Sequence, residues 1–178
     1  MTSKSGNEIA VLHSIRRPHS DRIKTRVKRW EIRKTKPSIP TPFTDYIYEP
    51  KSGGGCGKVI GEFVCDDIYE IKPDAECYFS YGYDIDDDTL DETCLTQENL
   101  KEYGKGRTLY GLHISRLKIY DKPKELSEFN LLCKRRSGTY NCDYCKYLTA
   151  ASWDGLVLGC DRRLRRPPQA WCYVEVKK

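Results

Sequence analysis

Lys28, Glu31 and Arg33 lie within six residues of one another, in the run Lys28-Arg-Trp-Glu-Ile-Arg-Lys34. A lysine beside a carboxylate can exchange a proton with it or hold a substrate amide, and partial burial lowers a lysine's pKa toward values useful in catalysis. The plain alternative is an ordinary ion pair across a strand face. The surrounding stretch, residues 13–36, carries ten Lys/Arg against Asp21 and Glu31. Such a concentrated positive field suits a polyanion, and a solvated basic face explains it equally well.

A second set of residues has metal-binding chemistry. Cys133, Cys142, Cys145 and Cys160 fall in one segment, and Cys142-Asp-Tyr-Cys145 places two thiolates within reach of a single ion. Tetrahedral zinc needs two more soft ligands, best supplied by Cys133 and Cys160, with Cys172 or Asp161 as substitutes for Cys133. Residues 131–165 hold few large aliphatics and gain from a metal clip. Unrelated buried thiols and a redox dithiol are the competing readings. No βαβ pattern surrounds the knuckle, which weighs against the second.

The elements that must position Lys28, Glu31 and Arg33 are a helix and a strand. Pro18 suits a first helical turn, Ser20 or Asp21 lies near the start, and Ile23 and Val27 stand four apart on one helical face. From Lys28 to Lys34 the alternation puts Trp30 and Ile32 on one side of a strand and Arg29, Glu31 and Arg33 on the other. Residues 9–15 read as a buried first strand, 36–42 as a proline-rich loop, and Asp45–Glu49 as a brief strand. The turn Lys51-Ser-Gly-Gly-Gly-Cys-Gly57 leads into a strand over 58–69 and lacks a Gly-Lys-Ser/Thr ending, so it is a hairpin connection and not a phosphate cradle. The acids of residues 74–95 lack the spacing of a calcium loop and read as a solvated acidic loop. Thr96 caps a short helix that ends at Gly104-Lys-Gly106, and a strand over 108–120 keeps its alternation only with a bulge near Arg116. Residues 124–129 form a short turn or helix. His13, His19 and His113 are lone histidines with no assigned role.

The 178 residues suit one domain, 1–178, with insertions at about 74–95 and 131–165. No window approaches 18 consecutive apolar residues, and the first residues lack the apolar run of a signal peptide, so a soluble cytoplasmic protein without membrane association is expected. Nine cysteines in that setting favour reduced thiols and a metal over disulfides. The net charge of +5 conceals a division: fourteen acids and two bases lie between Glu62 and Glu102, while residues 133–166 are basic. The two basic ends could form one surface if the fold brings them together.

A helix with Pro near its start, followed by Lys-x-x-Glu-x-Arg-Lys entering a strand, resembles the ASCH domain of the PUA-like group. Residues 57–63, 109–114 and 166–174 resemble its core, penultimate and closing strands, the last in the form found in phage and prophage versions. The resemblance implies an α+β fold: a mixed β-barrel with short flanking helices, here carrying the cysteine-rich insertion. It further implies RNA or nucleotide recognition in a cleft between the opening helix and the barrel. Arg17, Lys28, Glu31, Arg33 and Lys34 would line that cleft, with Tyr48 and Trp171 as stacking aromatics. Arg and Lys would take phosphates and Glu31 would accept from an exocyclic amine. Trp171, which alternates with Tyr173, suits the core as well as it suits a platform.

Some relatives are amidohydrolases that deacylate a modified cytidine with a Lys, a Thr and a distant Glu. The Lys matches Lys28, Glu31 stands where the Thr would be, and an acid such as Glu98 could complete a site; a ribonuclease is the other enzymatic reading. A protein partner docking on the acidic loop is a third. The family usually has Gly where Arg26 stands, at a turn suited to positive φ. Lys28, Glu31 and Arg33 are expected to line one solvent-accessible cleft, so that Glu31→Gln and Arg33→Ala weaken ligand binding with little change in melting temperature.

Overall fold

The computed structural model describes residues 9–74, 82–132 and 163–176. In chain order the described elements are β1 (Ile9–Ser14), α1 (Arg17–Lys24), β2 (Trp30–Arg33), β3 (Phe43–Tyr48), β4 (Val59–Cys65), β5 (Ile68–Ile71), β6 (Pro73–Asp74), β7 (Gly82–Tyr83), α2 (Asp87–Thr93), α3 (Gln97–Gly104), β8 (Leu109–His113), β9 (Ser115–Lys124) and β10 (Trp171–Glu175). One sheet runs β10-β1-β3-β4-β9, a second β2-β8-β5, and β6 pairs with β7. The segment β4–β5 passes from the first sheet to the second, and β8–β9 passes back. His113 N donates to Asp67 O at 3.0 Å at this corner. The architecture is α+β, and among the described residues the ladders form an open, bent pair of sheets where a closed barrel was expected.

Apolar side chains divide by strand face. Val11 and Ile15 point with Phe43, Ile47, Phe63 and Leu112 into the space between the two sheets, where Ile23 of α1 joins them. Ala10 and Leu12 face the other way, onto Tyr46, Phe129 and Val174. Ile32, Ile71 and Leu109 pack under Leu100 of α3 on the outer face of the small sheet. Ala10, Val11 and Leu12 meet cores on both sides of the strand, which is why the start of β1 reads as a continuous apolar run.

The expected helix exists, with Pro18 in its first turn, but it stops at Lys24. Val27 therefore leaves the helical face shared with Ile23 and is 62% exposed. Arg26 occupies the left-handed region, φ 61°. The turn expected of a Gly is made here by an arginine, against the steric cost of a Cβ in that conformation. Arg116, also left-handed at φ 47°, makes the phase shift predicted for the 108–120 strand. The acidic segment holds more structure than a solvated loop. Asp86 accepts from Thr89 N at 2.8 Å and caps α2, and Thr96 with Asn99 forms a reciprocal capping box on α3. The zinc ligands inferred above, Cys133, Cys142, Cys145 and Cys160, lie outside the described residues.

Candidate functional site

The turn after α1 delivers Lys28 to the interior: the backbone N–H groups of Val27 and Lys28 both donate to Arg22 O, each at 3.1 Å. Arg29 N then donates to Glu92 O at 2.7 Å, so the entry to β2 is held against the end of α2. Lys28 Nζ donates to Thr93 O at 2.7 Å and lies 3.5 Å from Glu31 Oε2. Arg33 Nη2 lies 3.1 Å from Glu31 Oε1 and donates to Ser14 O at 2.9 Å. The three side chains are thus brought together as the alternation predicted.

They do not line an open cleft, however. Lys28 is 2% and Glu31 6% exposed, because α2 closes over them. The covering element comes from the segment expected to be a solvated loop. Its Glu92 also accepts from the indole N–H of Trp30 at 3.1 Å and pairs with Arg29.

Burial is the largest influence on both ionisable groups, and the outcomes differ. It pulls the Lys28 ammonium below the usual lysine range, with Glu31 opposing. For Glu31, burial favours the neutral acid, but Lys28 and Arg33 outweigh it and hold the carboxyl below the usual range. The reason is stoichiometric: Glu31 has two cations, whereas Lys28 shares its one carboxylate with Arg33. Glu31 is the fixed anion of the cluster and Lys28 the group whose proton is loosened.

Histidines left without a role belong to the same region. His19, on α1, is held below its ordinary pKa by burial, then by Lys28, Arg22 and Arg33, against the opposing pull of Glu31. His13 Nδ1 lies 2.7 Å from Asp45 Oδ2, both side chains being fully buried. Among the described residues, the buried side-chain atoms lacking a hydrogen-bond partner are His13 Nε2, His19 Nδ1, Glu31 Oε2, Arg33 Nε and Asp45 Oδ1. Buried polar atoms are usually satisfied, so a concentration of orphans around one ion pair marks a place suited to a polar ligand. The available sequence signal was a polar residue at an inward position of an otherwise apolar strand, as at His13 and Asp45.

The remaining expected site residues disperse. Arg17 is exposed on α1, 3.4 Å from Asp21 and from Gly54 O. Tyr48 is 6% exposed in the core beside Val59 and Leu126, which overturns its role as a stacking platform: it has no free face for a base. Trp171 is half-buried, donates to Thr35 Oγ1 at 3.0 Å and meets Tyr173 edge-on at 5.1 Å. Lys34 is exposed, its Nζ 4.6 Å from the centroid of the Tyr103 ring. Glu98 is exposed at the first turn of α3 and interacts locally with Thr96 and Lys101. Cys172 is half-buried, and burial pushes its thiol up to about 11. Among the described residues no cluster of three His, Cys, Asp or Glu could hold a metal, and no helix is long and apolar enough to cross a membrane.

No protein-family model matches the sequence, and no curated protein does. Solved structures do. The chain is similar to the crystal structure of ASCH from Zymomonas mobilis, at 16% identity and a TM-score of 0.50 over 66% of this chain and 73% of that one. A serine-to-alanine mutant of the Zymomonas protein aligns at 15% identity and a TM-score of 0.55, over 95% of this chain and 89% of that one. The chain has the ASCH fold. In this fold the Lys28–Glu31–Arg33 cluster is held between the end of β1, where Arg33 meets Ser14 O, and the end of α2, where Lys28 meets Thr93 O.

Proposed function

We propose that this ASCH-fold chain binds RNA or a nucleotide, with Glu31 and Arg33 reading a base and the surrounding cations holding phosphate. One observation carries the reading. A buried ionised carboxylate keeps Oε2, 3.5 Å from Lys28 Nζ, without a hydrogen-bond partner, in a cluster where Arg33 Nε and His19 Nδ1 are also orphans. An acceptor next to a donor is the complement of a base edge that presents an exocyclic amine and a ring nitrogen. Because α2 covers Lys28 and Glu31, binding requires the contact between α2 and residues 28–30 to part, and the ligand's polar edge then replaces it.

Titration of labelled nucleotides and short RNA at low salt tests this. Arg33→Lys keeps the charge and loses the planar fork, and it should weaken binding about tenfold or more; Asp88→Asn on the exposed face of α2 should leave binding unchanged. Equal affinity in the wild type and Arg33→Lys would end the proposal.

A hydrolase reading rests on Lys28. Burial loosens its proton, which suits a proton-transfer role toward an acylated nucleoside or an RNA hydroxyl, with Glu31 alongside. Product formed by the wild type and absent with Lys28→Met would select this reading. The cysteine-rich segment 131–165 is proposed to bind one structural zinc, independently of either reading.

A further inference from the structure

Beyond the buried cluster, β2 continues into a strip of exposed lysines and partly buried aromatic rings, of which Tyr110 also packs against the core between the sheets. Arg33 stands directly opposite Tyr110 in the β2–β8 ladder. The next two lysines each lie over a ring: Lys34 Nζ is 4.6 Å from the Tyr103 centroid and Lys36 Nζ 5.0 Å from that of Tyr110. Tyr103 is 38% exposed. It is also near enough to Arg33 and Glu31 to feel the charge of both, which ties the strip to the buried cluster. Among the described residues neither lysine has a carboxylate partner within ion-pair distance. The closing strand borders the strip, since Trp171 holds Thr35 and the Tyr173 hydroxyl accepts from Ser38 N at 2.6 Å.

We infer that residues 33–36, with Tyr103 and Tyr110, form a track for single-stranded nucleic acid leading out of the Glu31 site. An ammonium resting on a ring exchanges readily for a base: the base stacks on the ring face and the lysine turns to the neighbouring phosphate. Every base has such a face, so the track is tolerant of sequence and specificity stays with Glu31 and Arg33. Two rings and two lysines in register suit two nucleotides beyond the one in the site. A duplex fits poorly, because its bases are already stacked on each other and cannot splay onto tyrosines.

The inference rests on the nucleotide-binding reading of the cluster, and the test keeps the two apart. Fluorescence anisotropy would measure labelled uridine oligomers of one, two, four and six nucleotides, together with a six-base-pair duplex. Affinity should rise about tenfold or more from one to four nucleotides and change little after that. Tyr103→Ala and Tyr110→Ala should each cost the hexamer at least about fivefold, the low end of one stacked base, and leave the mononucleotide unchanged. Lys34→Ala with Lys36→Ala should flatten the slope of log affinity against log salt by about 1.4, at about 0.7 per single-strand phosphate. Hexamer binding no tighter than mononucleotide binding, or duplex binding as tight as hexamer, would overturn the track and leave the site reading standing. Hexamer binding that needs the two tyrosines and is indifferent to Arg33→Lys would support the track and remove the site.

Discussion

Glu31→Gln isolates the electrostatic work of the buried cluster. Glutamine keeps the volume and most of the hydrogen-bonding capacity, but it removes the one anion facing Lys28 at 3.5 Å and Arg33 at 3.1 Å. Lys28 is 2% exposed and cannot turn to water. Breaking a buried pair from one side costs about 3–5 kcal/mol. The lower end applies, because the loosened proton of Lys28 can leave and Arg33 keeps the Ser14 carbonyl. About 3 kcal/mol in a domain of this size lowers the melting temperature by about 6–12 °C. The sequence had suggested little change in melting temperature for this substitution, and burial reverses that expectation. Lys28→Met, which keeps the apolar stem and drops the charge, should partly rescue Glu31→Gln. The double-mutant cycle in urea should show a coupling of about 1–3 kcal/mol. A shift under 2 °C, or single effects that simply add, would refute the argument that the pair is a closed, low-dielectric unit.

Three further expectations follow from named groups. His19 titrates below its ordinary value in the folded chain, so the unfolded chain binds protons first as pH drops from about 6.5. Melting temperature should therefore fall between pH 7 and 5.5, and His19→Gln should reduce that fall; an identical pH dependence in the variant would contradict the assignment. Arg26 is left-handed at φ 61°, so Arg26→Gly should be neutral or stabilising by up to about 0.5 kcal/mol, relief of strain being offset by chain entropy, while Arg26→Val should lose about 1 kcal/mol or more in urea. Purified protein should carry about one equivalent of zinc that Cys142→Ser loses; metal-free protein with all nine thiols titratable under native conditions would remove the proposed zinc.

The sequence made local features legible wherever a short-range rule governed them. Trp30 and Ile32 facing away from Glu31 and Arg33 follows from alternation alone, Thr96 capping α3 from its side chain, and the phase break at Arg116 from the loss of alternation. The helix end was misjudged because Val27 is apolar and correctly spaced from Ile23, and nothing local says that Arg26 will turn left-handed. Tyr48 failed for a related reason: a tyrosine in a strand has the same composition signal whether its ring meets a base or Leu126.

The burial of Lys28 was hidden for a different reason, since its partner is a backbone carbonyl. Thr93 lies 65 residues away, in a segment whose side chains are conspicuously acidic, and composition pointed to solvent. Yet the acids and the carbonyl do one job together. Helix α2 ends at Thr93, and its last carbonyls carry the negative end of the helix dipole. Glu92 adds a formal charge against Arg29 and Trp30 at the same point. A basic strand entry thus docks on a negative helix terminus, which explains both why the acidic segment folds back onto β2 and why the cluster is closed. On the proposed binding reading, a polyanion arriving at Arg29 would compete with Glu92 for a cation that holds α2 down. On that reading, ligand binding and release of α2 would be linked by charge, and raising salt would weaken both contacts together.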